Sequence, residues 1–382
     1  MEPLALYIHW PFCLAKCPYC DFNSHVREKI PQERFRAALR TELAWEAARL
    51  GRRRLGSIFF GGGTPSLMAP ETVAALIADA EIFFQPIPAM EITLEANPTS
   101  VEAEKFSAFR AAGVNRISIG IQSLDPEALR RLGRQHSAAQ AIAALEIGRK
   151  NFPRISFDLI YARPEQTLAQ WRAELRQALS LAADHLSLYQ LTIEPGTAFE
   201  AQHRSGEFLL PDPDTAAALY EATAEEAERF GLAPYEVSNY AAPGAESRHN
   251  LAYWRYGDYA GIGPGAHGRL MLGGKIFATR RHRAPEPWAE RVEQHGHGTM
   301  QEEKLSSVDR AREMLLMGLR LSEGIEENRF LARTGMALDD AIDADTIARA
   351  LDENYLVRTP TTLRATAEGR LRLDSLLAAL VR

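Results

Sequence analysis

The chain has 382 residues, 46% of them hydrophobic, and a formal net charge of -6. That is enough apolar material for one large domain and a smaller one, and the acidic balance argues against a general nucleic-acid binder, which needs a basic face. No apolar run reaches the ~20 residues of a membrane span, and the start MEPLALYIHW lacks the marks of a signal peptide, so the expected setting is cytoplasmic.

Strand-like runs lie at 4–10, 57–60, 91–95, 116–121, 155–160 and 185–193. Helical patterns separate or follow them at 32–50, 70–84, 100–112, 137–150, 167–183 and 213–230. Apolar strands alternating with amphipathic helices imply an α/β fold built of βα units around a parallel sheet. Six such units fit a partial, TIM-like (β/α)6 barrel over residues 1–235, with a doubly wound open sheet as the alternative. Residues 236–300, rich in Gly, His, Arg and Tyr, read as a loop-like connecting segment. Helices return at 306–321, 326–334 and 343–353, followed by a β-like run at 355–365 and a last helix at 371–381. This pattern suggests a small winged-helix-like domain over 301–382. Its 12 Lys and Arg against 15 Asp and Glu favour packing or a lid role over DNA binding.

All three cysteines, Cys13, Cys17 and Cys20, follow the first strand in the pattern C-x3-C-x2-C. In a reducing compartment such a cluster points to metal or redox chemistry rather than to a disulfide. Structural zinc takes four protein ligands, and His9 or His25 would have to complete the set. An iron–sulfur cluster held by three thiolates keeps one iron open for chemistry. The spacing favours the open cluster.

Other strand ends carry polar or glycine-rich segments. The second strand runs into Gly61-Gly62-Gly63-Thr64-Pro65, where backbone can approach a ligand closely. The next ends at Glu95-Ala96-Asn97-Pro98, the fourth delivers Gln122 with Arg134 and His136 downstream, and the fifth carries Asp158. Each alone reads as a turn, a cap or a surface group. Together they fall on the face where barrel active sites form.

At CLAKCPYC the chain resembles the radical S-adenosylmethionine (SAM) enzymes. The resemblance implies that Cys13, Cys17 and Cys20 hold a [4Fe–4S] cluster, that SAM chelates the fourth iron, and that Tyr19 lies against the nucleotide. From Tyr7 to about Gly268 the chain is similar to the coproporphyrinogen-oxidase-like branch, more weakly so in the C-terminal domain. This implies SAM contacts at Tyr7, Tyr19, Gly62, Gly63, Thr64, Glu95, Gln122, Arg134 and Asp158. One departure is Ala162-Arg163, where relatives usually show Gly-Leu, and it bears on the shape of that loop.

Two activities divide the branch. The oxidases have a further cysteine two residues after the third, where this chain has Phe22. The stretch RHNLAYW at 248–254 resembles the H-N-x-x-Y-W motif of the haem chaperones. The resemblance therefore implies haem as cargo and haem-dependent acceptors of the respiratory type. A radical SAM oxidase acting on coproporphyrinogen III is the alternative. His249 is the first candidate haem ligand, because neutral imidazole ligates haem iron, and Tyr253 and Trp254 offer flat faces to a porphyrin. Arg248, Arg255 and the run Arg280-Arg281-His282-Arg283 are candidates for the propionates. Such runs, like Arg52-Arg53-Arg54, are more often solvated faces. His267 in GPGAHG either borders the pocket or is structural. A reductant protein and a homodimer that shields the cluster are compatible partners.

Overall fold

The computed structural model describes residues 2–381 and contains a 12-stranded mixed sheet. Six strands alternate with helices as the pattern requires: β1 (Leu4–Trp10), β2 (Arg54–Gly62), β3 (Gln85–Ala96), β4 (Arg116–Gln122), β5 (Arg154–Tyr161) and β6 (His185–Gln190). Each pairs in parallel with the next. Beyond β6 lie β7 (Asn239–Ala241) and the two-residue strand Ala233–Pro234, both antiparallel to their neighbours. No pairing among the described residues joins the two ends of the sheet, so the (β/α)6 unit is an open partial barrel.

Residues 236–300 differ from the loop-like expectation. They hold β7, β8 (Tyr259–Ile262), β9 (His267–Leu272), β10 (Lys275–Arg281) and the start of β11 (Thr299–Lys304). β8 pairs in parallel with β1, and β9 to β11 extend the same sheet antiparallel. Strands as short as YAGI carry little periodicity of their own. They form because β1 offers a ready edge and the Gly273-Gly274 turn, with both φ values positive, closes the β9–β10 hairpin.

Alternation in β1 sorts the two sides of the sheet. Leu4, Leu6, Ile8 and Trp10 are fully buried in the main core under the helices, while Tyr7 and His9 point to the opposite face. The helix Gln32–Leu50 buries Glu42 and Glu46 against the β9–β11 region. Arg281 is completely buried between them, and Glu42 also accepts hydrogen bonds from Gly263 N, Trp288 Nε1 and Gly298 N. The expected helix at 100–112 is split into Ser100–Ala103 and Phe106–Ala111.

The C-terminal segment has its own apolar core around Leu315, Leu319, Phe330, Leu356 and Leu363, with Tyr256 and Ile276 reaching in from the sheet side. Helices surround a three-stranded sheet formed by Ile325–Glu326, Thr362–Ala365 and Leu356–Arg358. No helix among the described residues is long and apolar enough to cross a membrane.

Candidate functional site

The carboxyl ends of β1 to β5 converge on a cavity of about 160 Å3. Cys13, Cys17, Cys20, Tyr19, Gly62, Gly63, Thr64, Glu95, Gln122, Arg134 and Asp158 all line it. Residues up to 145 positions apart in sequence thus meet because successive parallel strands deliver them to one rim.

The glycine run is required by space. Gly62 has φ +114, and a Cβ there would stand 2.6 Å from the His9 ring. A Cβ on Gly63 would stand 2.7 Å from the Phe12 carbonyl oxygen. Gly62 N instead donates to Glu95 Oε2 at 3.3 Å. Gln122 lies in the left-handed region at φ +71, uncommon for a residue other than glycine.

The cysteine loop is braced from two sides. Thr64 Oγ1 donates to Cys13 Sγ and Arg134 Nη1 to Cys17 Sγ, each at 3.4 Å. Arg134 Nη2 also donates to Asn97 Oδ1 at 2.6 Å and to the Gly120 carbonyl at 2.7 Å. Its Nε is buried without a partner among the described residues. Burial raises the pKa values of the Cys13 and Cys20 thiols. Burial first, and then the charge of Asp158, pushes Glu95 up to about 8. Asp158, which accepts from Ser118 Oγ at 3.3 Å, rises to about 6, chiefly by burial. Glu95 is thus mostly uncharged at pH 7 until a cation arrives.

Among the described residues no His, Cys, Asp and Glu group converges in a closed metal-holding geometry. Both nitrogens of His9 are engaged, with Tyr7 Oη at 3.0 Å and the Asn23 carbonyl at 2.9 Å. His25 faces Asn23 Oδ1 at 3.3 Å. Tetrahedral zinc needs four ligands meeting at one point, whereas three thiolates that bind separate irons of a cluster need not meet. The donor set and the Cβ-free wall fit a three-thiolate cluster with space beside it.

A second cavity, of about 400 Å3, adjoins the first and shares Phe22, Gly62 and Glu95 with it. Its walls include Tyr7, Tyr253 and Tyr259, and His267, Arg280 and Arg283 lie at its exposed side. Tyr7, expected against SAM, therefore belongs to this neighbouring cavity and not to the cysteine cavity.

His249 lines neither cavity. It lies in the first turn of the helix Arg248–Trp254 and is that helix's one buried residue, 2% exposed. Nδ1 is paired with Ser57 Oγ at 2.9 Å and Nε2 with Tyr253 Oη at 3.2 Å, while Phe59 stacks on the ring at 4.8 Å. Burial, and then Arg116, lowers its pKa to about 3. The imidazole expected to face haem is turned into the core, because Glu91 fixes the helix start through the His249 N–H and Ser247 Oγ, each at 3.2 Å. From the same motif Tyr253 does reach the second cavity, whereas Trp254 lies under Arg320, 4.6 Å from its ring centroid.

Of the other candidates, Arg255 pairs with Glu323 at 2.6 Å, Arg53 with Asp258 at 2.5 Å, and Arg248 Nη1 with the Ala89 carbonyl at 2.8 Å. The Ala162-Arg163 departure is accommodated. Ala162 takes φ +54, a position that favours glycine, and Arg163 is buried against Glu174 and Ser123. Asn23 is a site residue that sequence reasoning passed over, and Asn97, seen there only as part of a strand-end segment, holds Arg134 in place. Asn23 Nδ2 donates to the carbonyls of Pro264 and Arg283, each at 2.9 Å, and ties the cysteine loop to the far side of the second cavity.

Residues 7–178 match the family model described as the Radical SAM superfamily, and residues 305–372 that of the HemN C-terminal domain. Over 99% of its length the chain is 42% identical to Radical S-adenosyl methionine domain-containing protein 1, mitochondrial, of Mus musculus, spanning 87% of that protein. It is 37% identical to Heme chaperone HemW of Escherichia coli strain K12, over 99% of this chain and 98% of that one. Among solved structures, coproporphyrinogen III oxidase (HemN) from Escherichia coli aligns with a TM-score of 0.82 at 23% identity, over 99% of this chain and 89% of that one. That likeness is one of fold.

Proposed function

Because the chain belongs to the radical SAM superfamily, among the homologues of the heme chaperone HemW, we propose that it binds haem beside a [4Fe–4S] cluster and passes it to acceptor proteins. Cys13, Cys17 and Cys20 would hold the cluster, with SAM against Tyr19, Gly62, Gly63, Thr64, Glu95, Gln122, Arg134 and Asp158. When bound, the cluster and SAM supply one-electron chemistry. The chain's own part is to brace two sulfurs with Thr64 and Arg134, to keep side chains out of the glycine wall, and to present a buried carboxyl at Glu95 to an ammonium group.

The observation that carries the reading is the pair of adjoining cavities. One is lined by thiols, and the other has tyrosine walls and a basic, exposed side. A volume of about 400 Å3 lies in the range of small-molecule sites. Phe22, 58% exposed, stands on the boundary where the oxidases have a cysteine, and its ring can neither bind metal nor move a proton. A cargo held at an exposed edge can be handed on. A reducing compartment would keep the three thiols available.

The test is anaerobic purification followed by haemin titration. A broad cluster absorption near ~400 nm, joined on titration by a stable Soret band, supports the reading. Turnover of coproporphyrinogen III with SAM and a reductant would replace it with the oxidase.

A further inference from the structure

His267 and Arg280 are direct partners across the β9–β10 hairpin, so their side chains stand side by side on one face. Both line the second cavity, together with Arg283. The three are exposed, and among the described residues none makes a side-chain hydrogen bond or an ion pair. This sets them apart from their neighbour Arg281, which register turns the other way into the Glu42 and Glu46 carboxylates. Partial burial, and then the charge of Arg280, lowers the His267 pKa, which favours the neutral ring, the form that ligates iron. Among the described residues Glu95 is the only carboxyl group in the cavity lining, and burial favours its uncharged form. The site therefore offers one available imidazole, two unpaired guanidinium groups and tyrosine walls.

We infer that His267 ligates the haem iron, while Arg280 and Arg283 take the propionates, at the exposed side of the second cavity. The assignment rests on the haem-binding reading above. His249 stays behind the wall and holds Tyr253. Iron takes an available nitrogen without breaking internal pairs, whereas His249 would have to give up Tyr253 Oη to bind it.

The experiment is haemin titration of the anaerobic full-length protein, read by the Soret band. His267→Ala should shift the band and weaken binding by at least about tenfold through loss of the nitrogen–iron bond, and added imidazole should restore the spectrum. Arg283→Gln should weaken haemin about tenfold yet leave haemin dimethyl ester, which lacks the carboxylates, unchanged. His249→Gln should keep the wild-type band position. A wild-type band indifferent to His267→Ala, or one lost in His249→Gln with no imidazole effect on the His267 variant, overturns this assignment alone. A wild-type protein with no band overturns the haem reading itself, and this assignment with it.

Discussion

The burial of His249 has a measurable consequence in acid. Its native pKa is lowered from 6.5 to about 3, first by burial and then by Arg116. Because the folded value lies below the unfolded one, the unfolded chain binds the extra proton. Stability contributed by the neutral ring is complete above pH 6.5 and is lost as pH falls from there toward 3. At pH 5 the native ring remains neutral, and the cost is about 2 kcal/mol, from 1.36 kcal/mol per unit below the unfolded pKa. In His249→Gln this term is absent. The variant should be less stable than wild type by about 1–2 kcal/mol at pH 8, through the weakened Ser57 and Tyr253 hydrogen bonds, and the gap should close by about 2 kcal/mol at pH 5. Anaerobic urea unfolding of both proteins at the two pH values measures it. A gap that stays constant would refute the placement of His249 as a buried, uncharged group.

Three further perturbations follow from the geometry. Gly133 has φ +65, and a Cβ would stand 2.7 Å from Pro18 Cδ, so Gly133→Ala should cost about 1–2 kcal/mol and displace the loop between Cys17 and Cys20. Iron retained after anaerobic purification should fall, and an unchanged iron content would contradict the loop's dependence on this contact. Glu95 has its folded pKa raised from 4.5 to about 8, so wild type loses stability as pH rises across that window. Glu95→Gln should therefore gain on wild type by roughly 1 kcal/mol per pH unit between pH 5 and 8 in SAM-free protein, as read by denaturation at several pH values. Arg281→Met leaves Glu42 buried without its cation and Glu46 with only Arg49, at 3.7 Å, and should cost about 3–5 kcal/mol. A melting temperature equal to wild type would show that the carboxylates find other partners.

The six βα units were legible because each parallel strand is buried on both faces and reads as an apolar run, as in RISIGI and ISFDLI. The cysteine cavity was legible too, since successive parallel strands must bring their ends to one rim. β8 to β11 were missed because their pairing is non-local. Nothing within YAGI or HGRLML announces an edge offered by a strand 250 residues earlier. The run Arg280-Arg281-His282-Arg283 could not be divided from composition alone. Register sends Arg281 into the core and leaves Arg280 at the cavity, and register is set by the hairpin partner. The direction of His249 depended in the same way on Ser57 and Glu91, residues more than 150 positions away whose roles appear only in the folded chain.

The most direct test of the central claim is low-temperature electron paramagnetic resonance of the reduced, anaerobically purified protein, alongside its metal content. The account predicts iron and sulfide in amounts fitting one four-iron cluster per chain, and a signal whose shape changes when SAM is added. Zinc at the three cysteines, or an iron signal indifferent to SAM, would contradict it.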